Sequence, residues 1–504
     1  MMKTSSQAIE YIDEPLVEVG KSQAVDDPRD GLSLFGPLVN SPEYTIRAGV
    51  IGTRSAIEAF RDWVCRIQGP ILNGEDSVSR PSFPGFEAAF NVKWPAEPLI
   101  AVELDSAHIE HILKQTRRSD RITTLVNLYR DRILEARRTQ ERDVSVWFVL
   151  VSGKLKKMAL PRSSDEPQSR HVRGQHSRMR PFATINQLDL QLSEMKETEE
   201  FSDHFHNQLK ARLLPKEIVT QLIVEETLLP PDRRSKLQFV IDSYRKQQSQ
   251  IAWNLASAVY YKHGALPWRL SGVRDGVCYV GMVFNNTLSG REGEACCAAQ
   301  MFLGSGDGMV FRGAVGPWYT KRRGEFHLDP RSSEKILGMV IDNYTKLNGT
   351  PPKEVVIHGK CRFNDREWEG FRSAAGCNTS IVGVRVRIAS NFNLFTLRNS
   401  SVLRGTLLRM TESSGYLMTM GFVPRLRTQL CLEVPRPLYL DVSHGECEFG
   451  VVARDILGLT KLNYNACTYA TGSPVTLRFA DAVGKILVST LTEDIPPLPF
   501  KHYI

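Results

Sequence analysis

Two spacings of apolar residues alternate along this chain and predict a mixed α/β protein. Short apolar runs are typical of buried strands, and apolar residues three and four positions apart are typical of amphipathic helices. In the first half, strands and helices are predicted in turn at Tyr44–Gly52, Thr53–Ile67, Pro98–Glu103, Ser119–Arg138 and Asp143–Val151. Strands that alternate with helices form a sheet covered by helices.

The second half has a different order of elements. Three successive strands, a helix, a strand and a second helix are predicted at Val277–Phe284, Ala299–Leu303, Gly308–Val315, Ser332–Leu347, Val355–His358 and Asp365–Ala375. More strands are predicted at Arg385–Ile388, Asn393–Arg398, Leu407–Met410, Tyr416–Met420 and near Leu430. Three antiparallel strands, a helix and then a parallel strand is the element order of an RNase H-like fold.

Length and composition are those of a globular protein with about two to four domains. The chain has 504 residues, of which 42% are hydrophobic and 24% charged, and its net charge of +8 is compatible with a polyanionic partner. No apolar run approaches the ~20 residues of a membrane helix. Early acidic residues argue against a signal peptide. We therefore expect no membrane association.

The cysteines indicate a reducing compartment. There are nine, an odd and scattered set without a Cys-x-x-Cys pair. This pattern favours neither a zinc site nor a disulfide framework. Because a reducing cytosol fits such thiols best, we expect a cytoplasmic protein.

Four polar side chains between positions 206 and 262 form the strongest candidate site. His206 and Lys210 are four residues apart, so on a helix they point the same way. Gln221 follows in a segment whose pattern predicts a further helix. Lys262 lies at the end of a long helix predicted over 234–262, although a lysine there is also explained by the helix dipole. Together they offer the donors and positive charge that a terminal phosphate requires.

The order of these four residues resembles the phosphate pocket of the MID domain in Argonaute proteins. In that family a Tyr or His, a Lys, a Gln and a second Lys hold the 5′ phosphate of a guide strand. The resemblance covers residues 30–504 and implies an α/β chain with a Rossmann-like MID domain followed by an RNase H-like PIWI domain. The implied division is an N-terminal arm over 1–40, MID over 41–268 and PIWI over 269–504. The length resembles that of short prokaryotic Argonautes, which lack the N and PAZ modules.

The second half resembles PIWI but lacks two of its carboxylates. The segment 279–283 is similar to the first catalytic strand, with Val283 in the place of an aspartate. The segment 355–360 is similar to the strand of another catalytic aspartate, whose place is taken by Gly359 and Lys360. RNase H-type cleavage needs carboxylates that hold two divalent ions about 4 Å apart. The resemblance therefore implies binding without cleavage.

Basic residues near the missing acids are candidate contacts for a guide–target duplex. His358 and Arg362 follow the second degenerate strand, and Lys461 lies in a segment similar to the region of the fourth catalytic position. A positive charge there would bind phosphate rather than metal. The alternative is a surface cluster that is paired with Asp365 or Glu367.

A basic segment over 152–181 is a further candidate. Its eight Lys and Arg residues against Asp165 and Glu166 leave a charge of +6. One interpretation is a solvated loop, and the other is a loop that contacts backbone phosphates.

The resemblance also implies partners. Inactive short Argonautes act with an APAZ-containing effector protein of sirtuin-like, TIR or nuclease type, and we favour the sirtuin-like type. The implied function is to bind a 5′-phosphorylated guide RNA, recognise a complementary single-stranded DNA target and activate an NAD-depleting effector in defence against phage or plasmid. One alternative is an active guide-dependent nuclease with a displaced metal site, although nearby Glu325 and Asp329 do not restore the acidic set. Another is a scaffold without nucleic acid.

The apolar C-terminal residues predict a buried chain end. If that end were free, four side chains would expose apolar area: Leu498, Phe500, Tyr503 and Ile504. In Argonautes the terminal carboxylate packs between MID and PIWI, and in several it helps to hold a divalent ion at the guide phosphate. The resemblance implies Mg²⁺ bound by the carboxylate of Ile504, with Gln221 as a neutral ligand. The alternative is that Ile504 only packs and the lysines suffice.

Overall fold

A computed structural model describes most of the chain. The described residues are 9–41, 43–73, 78–115, 117–139, 143–152, 205–229, 238–272, 274–286, 295–303, 308–316, 318–320, 325–389, 392–397, 401–430, 434–488 and 496–504. A four-stranded and a ten-stranded sheet are the largest, and helices accompany both, which confirms the α/β class. All of the basic segment except Ser152 lies outside the described residues, so both interpretations of it stay open.

The N-terminal residues form regular structure. Their elements are β1 (Ile9–Tyr11), β2 (Val17–Val19), β3 (Gln23–Val25) and α1 (Pro28–Phe35). Strand β1 pairs with Thr406–Arg409 at the edge of the ten-stranded sheet. The side chains of Val17 and Leu32 are fully buried. The prediction of an extended arm is therefore wrong over the described part of 1–40, because apolar side chains there anchor a hairpin and a helix to the protein.

Parallel strands and helices alternate in the next part of the chain, as predicted. The elements are β4 (Ala48–Gly52), α2 (Arg54–Arg66), α3 (Phe86–Phe90), β5 (Ile100–Glu103), α4 (Ser106–Leu113), α5 (Arg118–Arg138), β6 (Val146–Val151), α6 (205–213), β7 (Thr220–Val224), α7 (Glu225–Leu228) and α8 (Gln238–His263). The strand order is β5-β4-β6-β7, and every neighbouring pair is parallel. Strands β4 and β6 are buried throughout, as their uninterrupted apolar runs indicate.

The remaining elements build the ten-stranded sheet and its helices. They are β8 (Arg269–Leu270), β9 (Val277–Asn286), β10 (Ala295–Leu303), β11 (Gly308–Gly316), β12 (Tyr319–Thr320), β13 (Glu325–Phe326), α9 (Pro330–Asn348), β14 (Glu354–Gly359), α10 (Asp365–Ala375), β15 (Ser380–Ile388), β16 (Thr406–Arg409), β17 (Ser414–Leu417), β18 (Phe422–Val423), β19 (Thr428–Gln429), β20 (Leu438–His444), α11 (Phe449–Leu459), α12 (Val475–Arg478), α13 (Ala480–Val488) and β21 (Leu498–Pro499).

The topology of this sheet confirms the predicted RNase H-like order. Strands β9, β10 and β11 are antiparallel neighbours, and β14 lies parallel to β9 on one side and to β15 on the other. The full order is β1-β16-β17-β20-β15-β14-β9-β10-β11-β21. No helix in the described ranges has the length and apolar character needed to cross a membrane.

One predicted strand is wrong over its described residues, and the longest strand that the sequence did not predict is β20. Residues 393–397 of the strand predicted at Asn393–Arg398 form no regular structure, and Phe395 there is 74% exposed. An apolar alternation makes a strand only where a neighbour supplies hydrogen bonds and burial. Strand β20, which was not predicted, has both, because it lies between β15 and β17.

The two sheets share a core that holds the C-terminal residues in place. The largest cluster of buried apolar side chains includes Phe148 of β6, Tyr260 of α8 and Leu457 of α11, and also Tyr503 and Ile504. The prediction of a buried chain end is confirmed, since Ile504 is only 5% exposed. The end of the chain is therefore fixed beside α8.

Candidate functional site

Two helices and a strand bring the predicted phosphate ligands together. His206 and Lys210 lie one turn apart on α6, Gln221 lies on β7, and Lys262 lies in the last turn of α8. Gly264 ends that last helix with a φ of +107°, a conformation that glycine adopts without strain. The helical placement of Gln221 is wrong, because residues 220–224 pair in parallel with β6.

Lys210 is buried and donates hydrogen bonds to main-chain oxygens. Its Nζ lies 2.6 Å from the oxygen of Ile504, 3.3 Å from that of Thr220 and 3.4 Å from that of His502. Burial lowers the pKa of the Lys210 ammonium to about 7. This lysine therefore joins α6, β7 and the C-terminal residues at one point.

Lys262 is the second buried cation. Its Nζ donates to Oε1 of Gln221 at 2.5 Å, and Nε2 of Gln221 donates to the main-chain oxygen of Leu222 at 3.0 Å. Burial first, and then the charge of Lys210, hold the pKa of Lys262 well below its usual range. The amide of Gln221 is thereby fixed, with its oxygen towards the lysine.

Two histidines complete the cluster. Burial, followed by the charges of Lys210 and Lys262, holds the pKa of His206 well below its ordinary value. Burial, followed by the charges of Lys501 and Lys210, lowers the pKa of His502 to about 3, and Nδ1 of His502 has no hydrogen-bond partner. Both imidazoles are therefore neutral at physiological pH and can donate one N–H each.

The two buried lysines have no acidic side chain beside them. Neither Lys210 nor Lys262 forms an ion pair with an Asp or Glu of the described chain. Other buried cations are paired, such as Arg29 with Asp27 at 2.8 Å and Arg404 with Glu14 at 2.8 Å. The one carboxylate expected beside them in the described chain is that of Ile504, whose oxygen lies 2.6 Å from Nζ of Lys210, so two buried cations share a single anionic group. The cluster therefore has the charge and the donors of an anion site.

The residues at this point do not fit the predicted magnesium ion. Its two expected ligands, Oε1 of Gln221 and the oxygen of Ile504, each accept a hydrogen bond from a lysine. Within the described ranges, no group of three or more His, Cys, Asp or Glu side chains could hold a metal ion. The ammonium groups of Lys262 and Lys210 therefore already occupy the places beside these two oxygens where a metal ion would have to lie.

The degenerate nuclease positions lie on adjacent strands. Val283 on β9 is paired with Ala298 of β10, and Gly359 is the last residue of β14. In the parallel pairing of β14 with β9, His358 lies opposite Gly281. The pairing ends there, and the exposed Lys360 directly follows the last residue of β14. The two positions predicted to have lost their carboxylates therefore lie on, or next to, neighbouring strands.

Two of the predicted duplex contacts are wrong. His358 is fully buried, its Nδ1 is 2.9 Å from Oγ1 of Thr476, and burial lowers its pKa to about 3. Lys461 is also buried, with its Nζ 2.5 Å from Oε1 of Glu14 and 2.8 Å from the main-chain oxygen of Asp26. The first is an uncharged core residue and the second anchors the N-terminal segment, so neither reaches a duplex.

The third predicted contact, Arg362, stays a prediction. Its side chain is 61% exposed, and its Nε lies 3.6 Å from Oδ2 of Asp441, not beside Asp365 or Glu367. An exposed pair at that distance is weak and leaves the guanidinium accessible.

The nearby acids have structural partners. Oε2 of Glu325 lies 3.4 Å from Nε2 of His327. Asp329 caps the start of α9 by accepting from the main-chain N–H groups of residues 331 and 332. These contacts account for both acids without a metal ion.

Sequence reasoning missed the part of the site made by main-chain oxygens and by the C-terminal basic pair. Thr220 and His502 contribute backbone oxygens to Lys210, and no side-chain pattern identifies such groups. A signal for the pair did exist, because Lys501 and His502 interrupt an otherwise apolar end.

Comparison with known proteins identifies the fold. No family model and no curated protein matches the chain. Among solved structures, Clostridium butyricum Argonaute bound to a guide DNA and a 19-mer target DNA is similar over 96% of this chain and 53% of its own, with a TM-score of 0.62 and 14% identity. The fold is that of the Argonaute proteins.

Other solved structures agree. Drosophila Piwi gives a TM-score of 0.59 at 12% identity, over 98% of this chain and 56% of its own. Aquifex aeolicus Argonaute gives 0.54 at 14% identity, over 98% of this chain and 57% of its own. The chain thus spans little more than half the length of these Argonaute and Piwi proteins. The predicted Rossmann-like and RNase H-like architecture is confirmed.

Proposed function

We propose that this chain binds a nucleic-acid guide by its 5′ phosphate and uses that guide to recognise a complementary single strand. The guide is RNA and the target is single-stranded DNA. The observation that supports this function is the pair of buried lysines, Lys210 and Lys262, without an acidic side chain beside them in the described chain. A phosphate dianion would supply the negative charge that the two lysines still lack with the oxygen of Ile504 beside Lys210.

The surrounding residues orient the phosphate. The two ammonium groups bind its oxygens, and neutral His206 donates one N–H, because its low pKa keeps the ring uncharged. The amide of Gln221 holds Lys262 in position at 2.5 Å. Main-chain oxygens hold Lys210 in the same way. Both lysine pKa values rise when the dianion binds, so proton uptake accompanies guide loading.

The chain recognises its target without cutting it, and a partner provides the effect. Cleavage of the RNase H type needs carboxylates for two metal ions, and two of those positions are Val283 and Lys360. The proposed partner is an APAZ-containing effector, by preference sirtuin-like and NAD-depleting, which target recognition activates in defence against phage or plasmid. The proposed location is the cytoplasm.

The test removes both lysines. Lys210→Ala combined with Lys262→Ala eliminates two charge-assisted hydrogen bonds of roughly 1.5–3 kcal/mol each, so retention of a 5′-phosphorylated guide falls at least a hundredfold. Filter binding with labelled guide measures the loss. The matched control is Lys335→Ala with Lys346→Ala, which removes the same charge from exposed positions on α9 and leaves guide binding unchanged.

Unchanged guide retention in the first variant, with thermal unfolding like that of the control, contradicts the phosphate assignment. EDTA adds a second readout on the unmodified chain. We expect no effect, because lysines contact both oxygens assigned to magnesium. A loss of guide binding with EDTA would instead support the ion at Gln221 and Ile504.

A further inference from the structure

A second cavity lies at the carboxyl ends of two parallel strands. It has a volume of about 520 Å³ and is bounded by the ends of β14 and β15, the start of β20 and the helix α12. Small-molecule sites span roughly 300–1,000 Å³. In open α/β sheets, ligands bind outside the carboxyl ends of parallel strands. Its position and size are therefore those of a ligand site.

The charged lining of this cavity is entirely basic. Its charged residues are Lys360, Arg387 and Arg478, and no Asp or Glu of the described chain lines it. Arg387 and Arg478 form no ion pair within the described ranges, although the guanidinium of Arg478 lies 5.8 Å from the ring centre of Phe479. Both arginines are exposed, although the burial of part of Arg478 lowers its pKa. An anion in the cavity could therefore accept charge-assisted hydrogen bonds from both without displacing an acidic partner of the described chain.

Apolar side chains form another wall of the cavity. They include Leu438 and Leu477, which are 2% and 7% exposed, and the half-buried Phe479. The ring of Phe479 is held by an edge-on contact with Phe500, with centroids 5.3 Å apart. A small inorganic anion would leave this wall without a partner. A fixed aromatic ring beside guanidinium groups suits a planar base that is attached to a phosphate.

We propose that this cavity is a nucleotide site, in which Arg387 and Arg478 hold a phosphate and Phe479 packs against the attached base. Lys360, which replaces a carboxylate of the nuclease centre, lines the same cavity. The nucleotide belongs either to a bound strand or to a free mononucleotide. Only binding of a strand rests on the proposed function.

The experiment removes the two unpaired cations. Arg387→Ala with Arg478→Ala is compared with Arg54→Ala with Arg372→Ala, a control that removes two exposed arginines from helices that do not line either site. In one arm, AMP is titrated calorimetrically into full-length protein that also carries alanine at Lys210 and Lys262, which removes the proposed guide phosphate site from the measurement. In the other arm, guide-loaded protein binds a matched 5′-hydroxyl DNA target.

We expect at least a tenfold loss of affinity in one arm, relative to the control. Loss in the AMP arm identifies a free nucleotide. Loss in the target arm identifies a strand. In that case the slope of log affinity against log salt concentration also becomes less steep, by about 0.7 for each phosphate contact with a single strand that is removed. Unchanged affinity in both arms overturns the nucleotide site and leaves guide binding intact. If the unmodified chain loads no guide, the proposed function fails, and the AMP arm alone decides the inference.

Discussion

At the scale of single residues, burial determines what the basic side chains of this protein do. Lys461 and Lys210 are both buried and both have a pKa lowered to about 7. Lys461 has the side chain of Glu14 as its counterion, whereas Lys210 donates to the oxygens of Thr220, His502 and Ile504, and no Asp or Glu of the described chain pairs with it. The same residue type is a structural anchor in one place and, in the proposed function, an anion ligand in the other.

The lowered pKa of Lys210 predicts the pH dependence of guide loading. The folded value of about 7 lies below the unfolded value, so the unfolded chain binds more protons above pH 7. The free protein therefore becomes more stable as the pH rises from 7 to 9. Guide binding changes in the opposite direction, because it requires the protonated lysine, and affinity falls up to tenfold for each pH unit. Below about pH 6 the phosphate itself loses charge.

Fluorescence anisotropy of a labelled guide between pH 5.5 and about 9 measures this profile. A guide with a 5′ hydroxyl is the control, because it lacks the dianion and should show no such fall. Equal pH profiles for both guides would mean that Lys210 does not contact the phosphate.

Sequence spacing predicted the residues of this site better than it predicted their surroundings. His206 and Lys210 share one face of a helix, and four-residue spacing identifies such a pair. The burial of His358 under Thr476 depends on a chain segment 118 residues away, which no local pattern contains. Duplex contacts were therefore assigned to core residues.

At the scale of elements, a close crossing of backbones fixes the helix α12 over the large sheet. A Cβ atom added to Gly281 of β9 would lie 1.8 Å from the main-chain oxygen of Thr476. The helix also provides Leu477 and Arg478 to the proposed nucleotide cavity. Because Gly281 has no side chain, α12 and the cavity that it lines can lie this close to the sheet.

We predict that Gly281→Ala destabilises the protein by about 1–3 kcal/mol or more, since the group that must move is main chain. Gly338→Ala is the matched control. It lies inside α9 with no atom within 4 Å of the added Cβ, so alanine there stabilises the helix by roughly 0.5–1 kcal/mol. Denaturant unfolding measures both changes. Equal stability of the two variants would contradict the close crossing.

Several long elements could be predicted closely from the sequence, and the three-residue strands near the N-terminus could not. Helix α10 has the predicted bounds, and β9 and α9 extend the predicted segments by two residues or fewer at each end, since their apolar periods run over many positions. The three-residue strands β1 and β2 have too few residues for a period. They exist because distant strands supply their hydrogen bonds.

At the scale of the whole molecule, the segments at the two ends of the chain contact distant parts of the protein. The N-terminal strand β1 and the C-terminal strand β21 form opposite edges of the ten-stranded sheet. The C-terminal residues then continue to the proposed guide phosphate site, where Lys210 donates to Ile504. Phe500 in this segment also supports Phe479 of the second cavity. One short segment thus contacts both proposed sites, an arrangement that the separate sequence motifs did not reveal.

The topology of the large sheet leads to the last prediction, that the guide-loaded chain does not cut a matched target with Mg²⁺ or Mn²⁺. Strands β14 and β9 are parallel neighbours, with Val283 on β9 and Lys360 directly after the end of β14. A lysine repels a divalent ion and a valine offers it no oxygen, so these positions cannot hold the two ions that the reaction requires. Gel analysis of labelled target, with binding verified in the same samples, measures the outcome. Product at one fixed position that disappears when Lys210 and Lys262 are both alanine would show a nuclease with a displaced metal site.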